Sequence, residues 1–600
     1  MTAGNGSLST VAELGDINGD GIGDYAVGLP SADVGGSADA GIVYVFLGKP
    51  GALPPTPTAL NLGAASFTIS GHAGEMLGYS IVGDDVNGDG LADIAIGAPM
   101  AGAPSKDGGG AVYVVFGSKH PSSISTTALS FAGYTNDPTN PAAPSPLGSR
   151  YDGFQQNSHT GMSLAALPDV NGDGYNDIAA GAPDADLHRP GGGGVAVLYG
   201  KPTGVHITLN DLWQNGYPYF FHIDFPDLDQ QNVGMSIASV GDMTGDGEPD
   251  IAIGAPHADP DGRTDAGSVW IISADIPQVT GCIQPVLDAS CPWIKLYSLS
   301  PSQGYRIDGA AAGDQLGSSL AGVGDQNGDG IRDLAIGAPG ASPDGRAGAG
   351  EVLVVPGQSN AATRDLAVSA PLETIVGPEA GAGLGASLAA AGDIDGDGRI
   401  DMLAGAPGDS ASAGAAYLVR GAVPGTVSDL ALATSKIAPA AAGSMAGSAV
   451  AAGASLDGAG ADALVAAPGS GGSGAWFVVG GSGTPVLPPP PGTPTPPPVT
   501  PPVTPPVTPP VTPPVTPPVT TPVVTPVTPT PAGDATAATT TATTTSTPAV
   551  KAPAVKKKPK KKLPLCPLKK PKPKYRIVKG KRVKVKPAPC RARAKPKTKA

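Results

Sequence analysis

"DINGDGIGDYAVGLP", residues 16–30, sets oxygen-bearing side chains at Asp16, Asn18 and Asp20, a glycine at Gly21 and another acid at Asp24, then turns apolar. Alternate spacing lets the side-chain oxygens converge as the backbone curls, and Gly21 permits the bend. Ile22 contributes only its backbone carbonyl. Asp24 closes a shell of roughly six hard oxygen ligands, the kind that calcium prefers.

The same phrase recurs along the chain. "DVNGDGLAD" offers Asp85, Asn87, Asp89, Leu91 and Asp93, and "DVNGDGYND" offers Asp169, Asn171, Asp173, Tyr175 and Asp177. "DMTGDGEPD" offers Asp242, Thr244, Asp246, Glu248 and Asp250. "DQNGDGIRD" offers Asp325, Asn327, Asp329, Ile331 and Asp333, and "DIDGDGRID" offers Asp393, Asp395, Asp397, Arg399 and Asp401. A worn seventh copy, "ASLDGAGAD" from Ala454, keeps only Asp462 in register and offers no site.

An EF-hand loop needs a bidentate glutamate at its twelfth position, on an outgoing helix. Here that position holds Val27, Ile96, Ala180, Ile253, Ile336 and Ala404, all apolar and strand-like. The loop therefore lies between two strands and relies on its ninth-position aspartate. A metal-free Asx–Gly turn explains one such loop. Six acidic loops with few basic neighbours repel themselves without a cation. The expectation is up to six calcium ions, bound most strongly by the four-carboxylate loop Asp393–Asp401 and most weakly by the Asp242 loop.

Each acidic loop sits in a repeated unit. A small-residue strand such as "LGYSIVGD" enters the loop and "DIAIGAP" leaves it. A Gly-rich turn, an apolar strand such as "GAVYVVFG" and a weaker fourth strand such as "SFTISG" at 66–71 follow. Seven such units predict an all-β fold, a seven-bladed β-propeller with four-stranded antiparallel blades. Small side chains suit strands that converge on one axis, while Val, Ile, Tyr and Phe fill the wider gaps between blades. No helical periodicity is sustained.

At this point the residues resemble a family. The order "LG-x-S", "GD", "D-x-N-G-D-G-x-x-D", "IGAP" over residues 4–481 is similar to the FG-GAP repeats of the integrin alpha-subunit N-terminal propeller. The resemblance implies structural calcium ions on the lower face, between first and second strands, and ligand recognition by upper-face loops. It also shows departures. Integrins carry calcium in some blades only, whereas six loops qualify here. No von Willebrand-type insert, leg domain or transmembrane helix is apparent. Similar repeats also stand beside a phospholipase catalytic domain, which is not seen here.

Charge is unevenly placed. Residues 551–600 hold 22 of the 37 Lys and Arg and no acid, which leaves 15 basic residues against 51 acidic ones in the rest. An acidic body argues against nucleic acid and for cations. Residues 482–550 form a Pro/Thr-rich linker, expected to be disordered and extended like polyproline II. The basic tail, 551–600, contains "YRIVKGKRVKVK", read as a hairpin turning near Gly580. It suits an anionic envelope polymer as partner. Cys282 with Cys291, and Cys566 with Cys590, are spaced for disulfides in an oxidising compartment or stand as free thiols. The start, "MTAGNGSLST", has neither basic region nor apolar run, so no signal peptide is read.

The seven histidines show no metal-ligand spacing and no nucleophile elbow precedes a helix, so no catalytic residue and no enzyme is expected. The expected function is a calcium-binding, integrin-alpha-like adhesion protein, secreted or at the cell envelope, displaying a surface for protein or glycan ligands. The alternatives are a hydrolase with its site on the upper face and a structural assembly protein. Upper-face candidates are the insertions 120–160, 205–232 and 276–308, the second carrying Trp213, Tyr217, Tyr219, Phe220 and Phe221.

Overall fold

The computed structural model describes residues 10–51, 58–59, 61–102, 108–129, 145–185, 192–209, 220–224, 231–273, 294–296, 299, 302–360, 362–394, 396–421, 425–430, 436–438, 442–453, 455–457, 461–469, 475–479, 575–578 and 581–584. It divides into two units, 1–496 and 497–600. In the second, Tyr575–Val578 and Lys581–Lys584 pair antiparallel as a hairpin, Val578 opposite Lys581. Cys282, Cys291, Cys566, Cys590, Asp395, Trp213, Tyr217, Tyr219 and residues 482–550 lie outside the described residues.

The first unit is a seven-bladed β-propeller. Seven sheets follow one another, each an antiparallel meander of inner, second and third strands. In blade 2 these are Ile81–Asp84, Asp93–Ala98 and Ala111–Val115, followed by an outer strand Gly148–Asp152. Each inner strand neighbours the next around the ring, and Val450–Ala452 of blade 7 returns to Thr10–Gly15 of blade 1. Among the described residues the helical turns are short, the α-helical one being Asp409–Ser412.

The second strands of blades 2, 4, 5 and 6 are buried end to end because sheets cover both faces. The core is accordingly split into seven apolar clusters, one per gap between neighbouring blades. Blades meet by direct backbone approach. A Cβ on Gly97 would sit 1.9 Å from the Gly161 carbonyl oxygen, and one on Gly254 would sit 2.2 Å from that of Gly317. These are the glycines of "IGAP" in one blade and "LG-x-S" or its equivalent in the next. The serine of the latter motif reaches across too. Ser80 donates to the Gly161 carbonyl at 2.7 Å, and Ser236 to that of Gly317 at 2.6 Å.

The blades differ from the expected four strands in one respect. Blades 1 to 5 carry a fifth, parallel strand donated by the following repeat. In blade 2 it is His206–Thr208 beside Gly148–Asp152. Charged clasps hold some of these strands. Arg263 donates to Asp365 at 2.8 Å and Arg346 to Asp429 at 3.0 Å. Ring closure uses the same device. Thr58–Ala59, from the first repeat, pairs antiparallel with Phe477 and Val478 as the outer strand of blade 7. Trp476 then packs on Phe46 and Tyr25 of blade 1, with ring centroids 4.6 and 5.4 Å apart.

Gly254→Ala forces a methyl into a backbone carbonyl and is expected to cost on the order of 3 kcal/mol. Ser236→Ala removes one bond at the same junction and is expected to cost about 1 kcal/mol. Thermal denaturation of both variants checks the order; equal losses would mean that backbone approach does not govern the junction.

Candidate functional site

Each acidic loop joins an inner to a second strand, so all six lie at the same end of their blades. The first aspartate folds over the loop. Asp16 accepts from the backbone N–H of Gly19 at 2.6 Å and of Gly21 at 2.7 Å. Asp85, Asp169, Asp242, Asp325 and Asp393 accept from the two matching glycines in the same way. The fifth-position acid caps the next turn, as Asp20 does for Ile22 N–H at 3.0 Å.

The ninth-position acid does something the sequence motif alone does not show. Asp24 accepts from Ile17 N–H at 3.0 Å and from Gly48 N–H at 2.8 Å. Gly48 lies just beyond the third strand, Ile42–Phe46, so one carboxylate ties the loop to a distant part of its blade. The pattern repeats with Asp93 to Val86 and Gly117, Asp177 to Val170 and Gly200, Asp333 to Gln326 and Gly357, and Asp401 to Ile394 and Gly421. The glycine is required, since a Cβ at Gly48 would stand 2.2 Å from the Gly23 carbonyl oxygen. That glycine closing each "FLG", "VFG" or "LYG" was the available sequence signal. Even in the worn seventh loop Asp462 accepts from Leu456 N–H at 2.7 Å.

These ninth-position carboxylates are at most 1% exposed in all six loops. Burial pushes Asp24 and Asp333 up to about 6, and Asp93, Asp177 and Asp250 up to about 7. Backbone bonds oppose the rise, and the acids at positions one and five add to it. In kind the donors fit a hard cation, being oxygen throughout, and a buried carboxylate beside two others favours positive charge. In arrangement they are held by backbone N–H groups. Among the described residues no three His, Cys, Asp or Glu side chains form a group able to hold a metal ion. Among the described residues, Lys201 pairs with Asp173 at 2.7 Å and Arg399 with Asp397 at 3.6 Å, and the Arg332 charge helps hold Asp325 below the usual carboxylate range. Thr244 donates to Asp250, and the carbonyl-donor positions Ile22, Leu91, Tyr175, Glu248, Ile331 and Arg399 all fall in the turn before the second strand.

The inner strands border a cavity of about 580 Å³, edged by Glu13, Asp16, Asp84 and Asp85 among glycine, alanine and aliphatic residues. At the opposite end of the blades, histidines that look scattered in sequence are paired. His72 bonds Thr126 and Thr127, each at 2.9 Å, and stands 3.3 Å from Glu75. Tyr113 donates to Glu75 at 2.9 Å, and Arg150 lies over the Tyr113 ring. Arg150 and His206 share Asp152 at 2.7 and 2.8 Å. Burial alone would raise Asp152, but His206 and Arg150 outweigh it and hold the carboxyl below the usual range. His206 thereby fastens the donated strand of blade 2. Phe220 and Phe221 lie in the outer strand of blade 3, where only the backbone is described.

The FG-GAP repeat model matches residues 77–115, 160–198, 233–272, 316–355 and 384–419, which are blades 2 to 6 from the "LG-x-S" segment or its equivalent through the third strand. The chain is 31% identical over 256 residues to Integrin alpha-PS2 of Drosophila melanogaster, covering 41% of this chain and 15% of that protein. It is 28% identical over 256 residues to Integrin alpha-5 of Xenopus laevis, covering 40% and 19%. It is 32% identical over 200 residues to phosphatidylinositol-glycan-specific phospholipase D of Mus musculus, covering 32% and 20%. The chain thus spans a fifth or less of the length of these relatives.

Two outcomes test the aspartate clamp. Asp333→Ala strands the buried N–H groups of Gln326 and Gly357 and is expected to cost about 2–4 kcal/mol in urea denaturation, against under about 1 kcal/mol for exposed Asp329→Ala. A carboxyl raised in the folded state binds its proton more tightly there than in the unfolded chain. Protein in chelator is therefore expected to lose stability as pH rises from the ordinary 3.8 towards about 7 and to lose no more above it. Melting curves that rise across that window would contradict these shifts.

Proposed function

This chain carries FG-GAP repeats and is similar to the integrin alpha propeller, and on that premise we propose that it is a non-enzymatic, calcium-stabilised adhesion module, secreted or held at the cell envelope. The observation that carries the reading is the ring of ninth-position carboxylates, buried to within 1% and crowded by two further acids in each loop. Asp16, Asn18, Asp20, the Ile22 carbonyl and Asp24, with their counterparts in the other five loops, would hold the ions. A bound ion would supply positive charge to these acidic loops. With the inner hairpins fixed at one end, the loops at the other end are left to meet a protein or glycan ligand.

The linker, 482–550, would space the propeller from the surface, and the basic tail, 551–600, would bind an anionic envelope polymer. Among the described residues no helix is long and apolar enough to cross a membrane.

A second reading, a hydrolase, is favoured by the likeness to a phospholipase D and by the buried Glu75–Tyr113–Arg150–Asp152 chain. Esterase and phosphodiesterase assays on the full chain decide between them. Turnover lost in His72→Ala would replace the first reading.

Calcium titration of chelated protein, followed by calorimetry and melting temperature, is expected to show several sites and a higher melting temperature. A glycan and matrix-protein array, with and without chelator, is expected to show chelator-sensitive binding. Neither heat of binding nor a melting shift with calcium would end the metal reading; an empty array would end the adhesion reading.

A further inference from the structure

We infer that four of the acidic loops are latent deamidation sites, each kept shut by the aspartate two residues before its asparagine. Asn18–Gly19, Asn87–Gly88, Asn171–Gly172 and Asn327–Gly328 are Asn-Gly pairs. Such pairs are chemically labile because glycine leaves its backbone nitrogen unhindered. That nitrogen attacks the asparagine Cγ, its proton passes to water, ammonia leaves and a five-membered succinimide forms. Water then opens the ring at either carbonyl to give aspartate or isoaspartate. The net change is one water consumed and one ammonia released, so nothing beyond solvent is needed.

The loop geometry opposes both movements that the reaction requires. The attacking nitrogen is engaged as a donor in every one of these loops. Gly19 N–H lies 2.6 Å from Asp16 Oδ1, Gly88 2.7 Å from Asp85, Gly172 2.6 Å from Asp169 and Gly328 2.6 Å from Asp325. Removing a proton beside a carboxylate places two negative charges together, which is unfavourable. The electrophile is held as well. Each asparagine Oδ1 accepts the fifth-position backbone N–H, at 2.8, 2.9, 2.8 and 2.8 Å in chain order. Cγ therefore cannot swing onto the glycine nitrogen without breaking a bond. Water is not the limiting reagent, since Gly19, Gly88, Gly172 and Gly328 are all exposed. Loss of the guard would place a new carboxylate, or an extra backbone methylene, at the third position of the loop. The guard consists of bonds that are formed without an ion, so it stands apart from the calcium reading.

The test incubates the full chain in mildly alkaline buffer, folded or in urea, and follows each asparagine by peptide mass spectrometry. Losing the near-attack geometry is expected to make the folded sites about 100-fold slower than the same sites in urea. Asp16→Asn is expected to speed Asn18 alone and leave Asn87 as slow as before. Thr244→Asn places a new Asn-Gly pair behind Asp242, whose Oδ1 lies 2.5 Å from Gly245 N–H, and this pair is expected to stay slow in the folded protein. Equal rates in folded and unfolded chain overturn the inference, as does fast loss of the introduced amide in folded Thr244→Asn protein. Chelator that leaves the wild-type rates unchanged supports it. Chelator that accelerates them assigns the protection to an ion and overturns it.

Discussion

One buried carboxylate per blade organises this propeller. The ninth-position aspartate lies at the bottom of the inner hairpin, out of water, and accepts a backbone N–H from its own loop and in most blades another from the end of the third strand. A buried acid without partners is costly, and a buried N–H without one is too. Each satisfies the other. The hairpin, the loop and the third strand are thus locked at one point, some 24 residues apart along the chain in blade 1. The remaining cost falls on the charge, and burial therefore pushes these acids up towards neutral pH.

The same economy of volume governs the ring. Where blades touch, backbone meets backbone, and glycine and serine are the residues that allow it. Bulk is displaced outward into seven separate apolar gaps instead of one central core. The inner strands, a mixture of glycine, alanine and aliphatic residues, leave a cavity with acidic edges. Strands donated from repeat to repeat, and from the first repeat to the last blade, then bind neighbours that would otherwise touch only through their faces.

Histidine placement illustrates what a linear reading misses. His72 and His206 are 134 positions apart in number, and nothing in their spacing links them. In the fold they stand at two ends of one polar chain through Glu75, Tyr113, Arg150 and Asp152. Similarly, Arg263 and Arg346 follow the short turns Pro260–Gly262 and Pro343–Gly345, and each holds an acid on a strand donated from the next repeat.

By itself the sequence determined the repeat, the number of blades and the place of each acidic loop between a first and a second strand. These depend on local chemistry: alternate oxygen-bearing residues, a glycine that permits a positive φ such as that of Gly21, and short apolar runs between turns. Only the tertiary structure decided which N–H groups Asp24 and its counterparts accept, which repeat supplies each fifth strand, and that Thr58–Ala59 closes the ring. The reason is physical. A donated strand such as Arg364–Asp365 is too short to carry a period, and its partner is fixed by what the packed blades leave exposed, a quantity that exists only once the ring has formed.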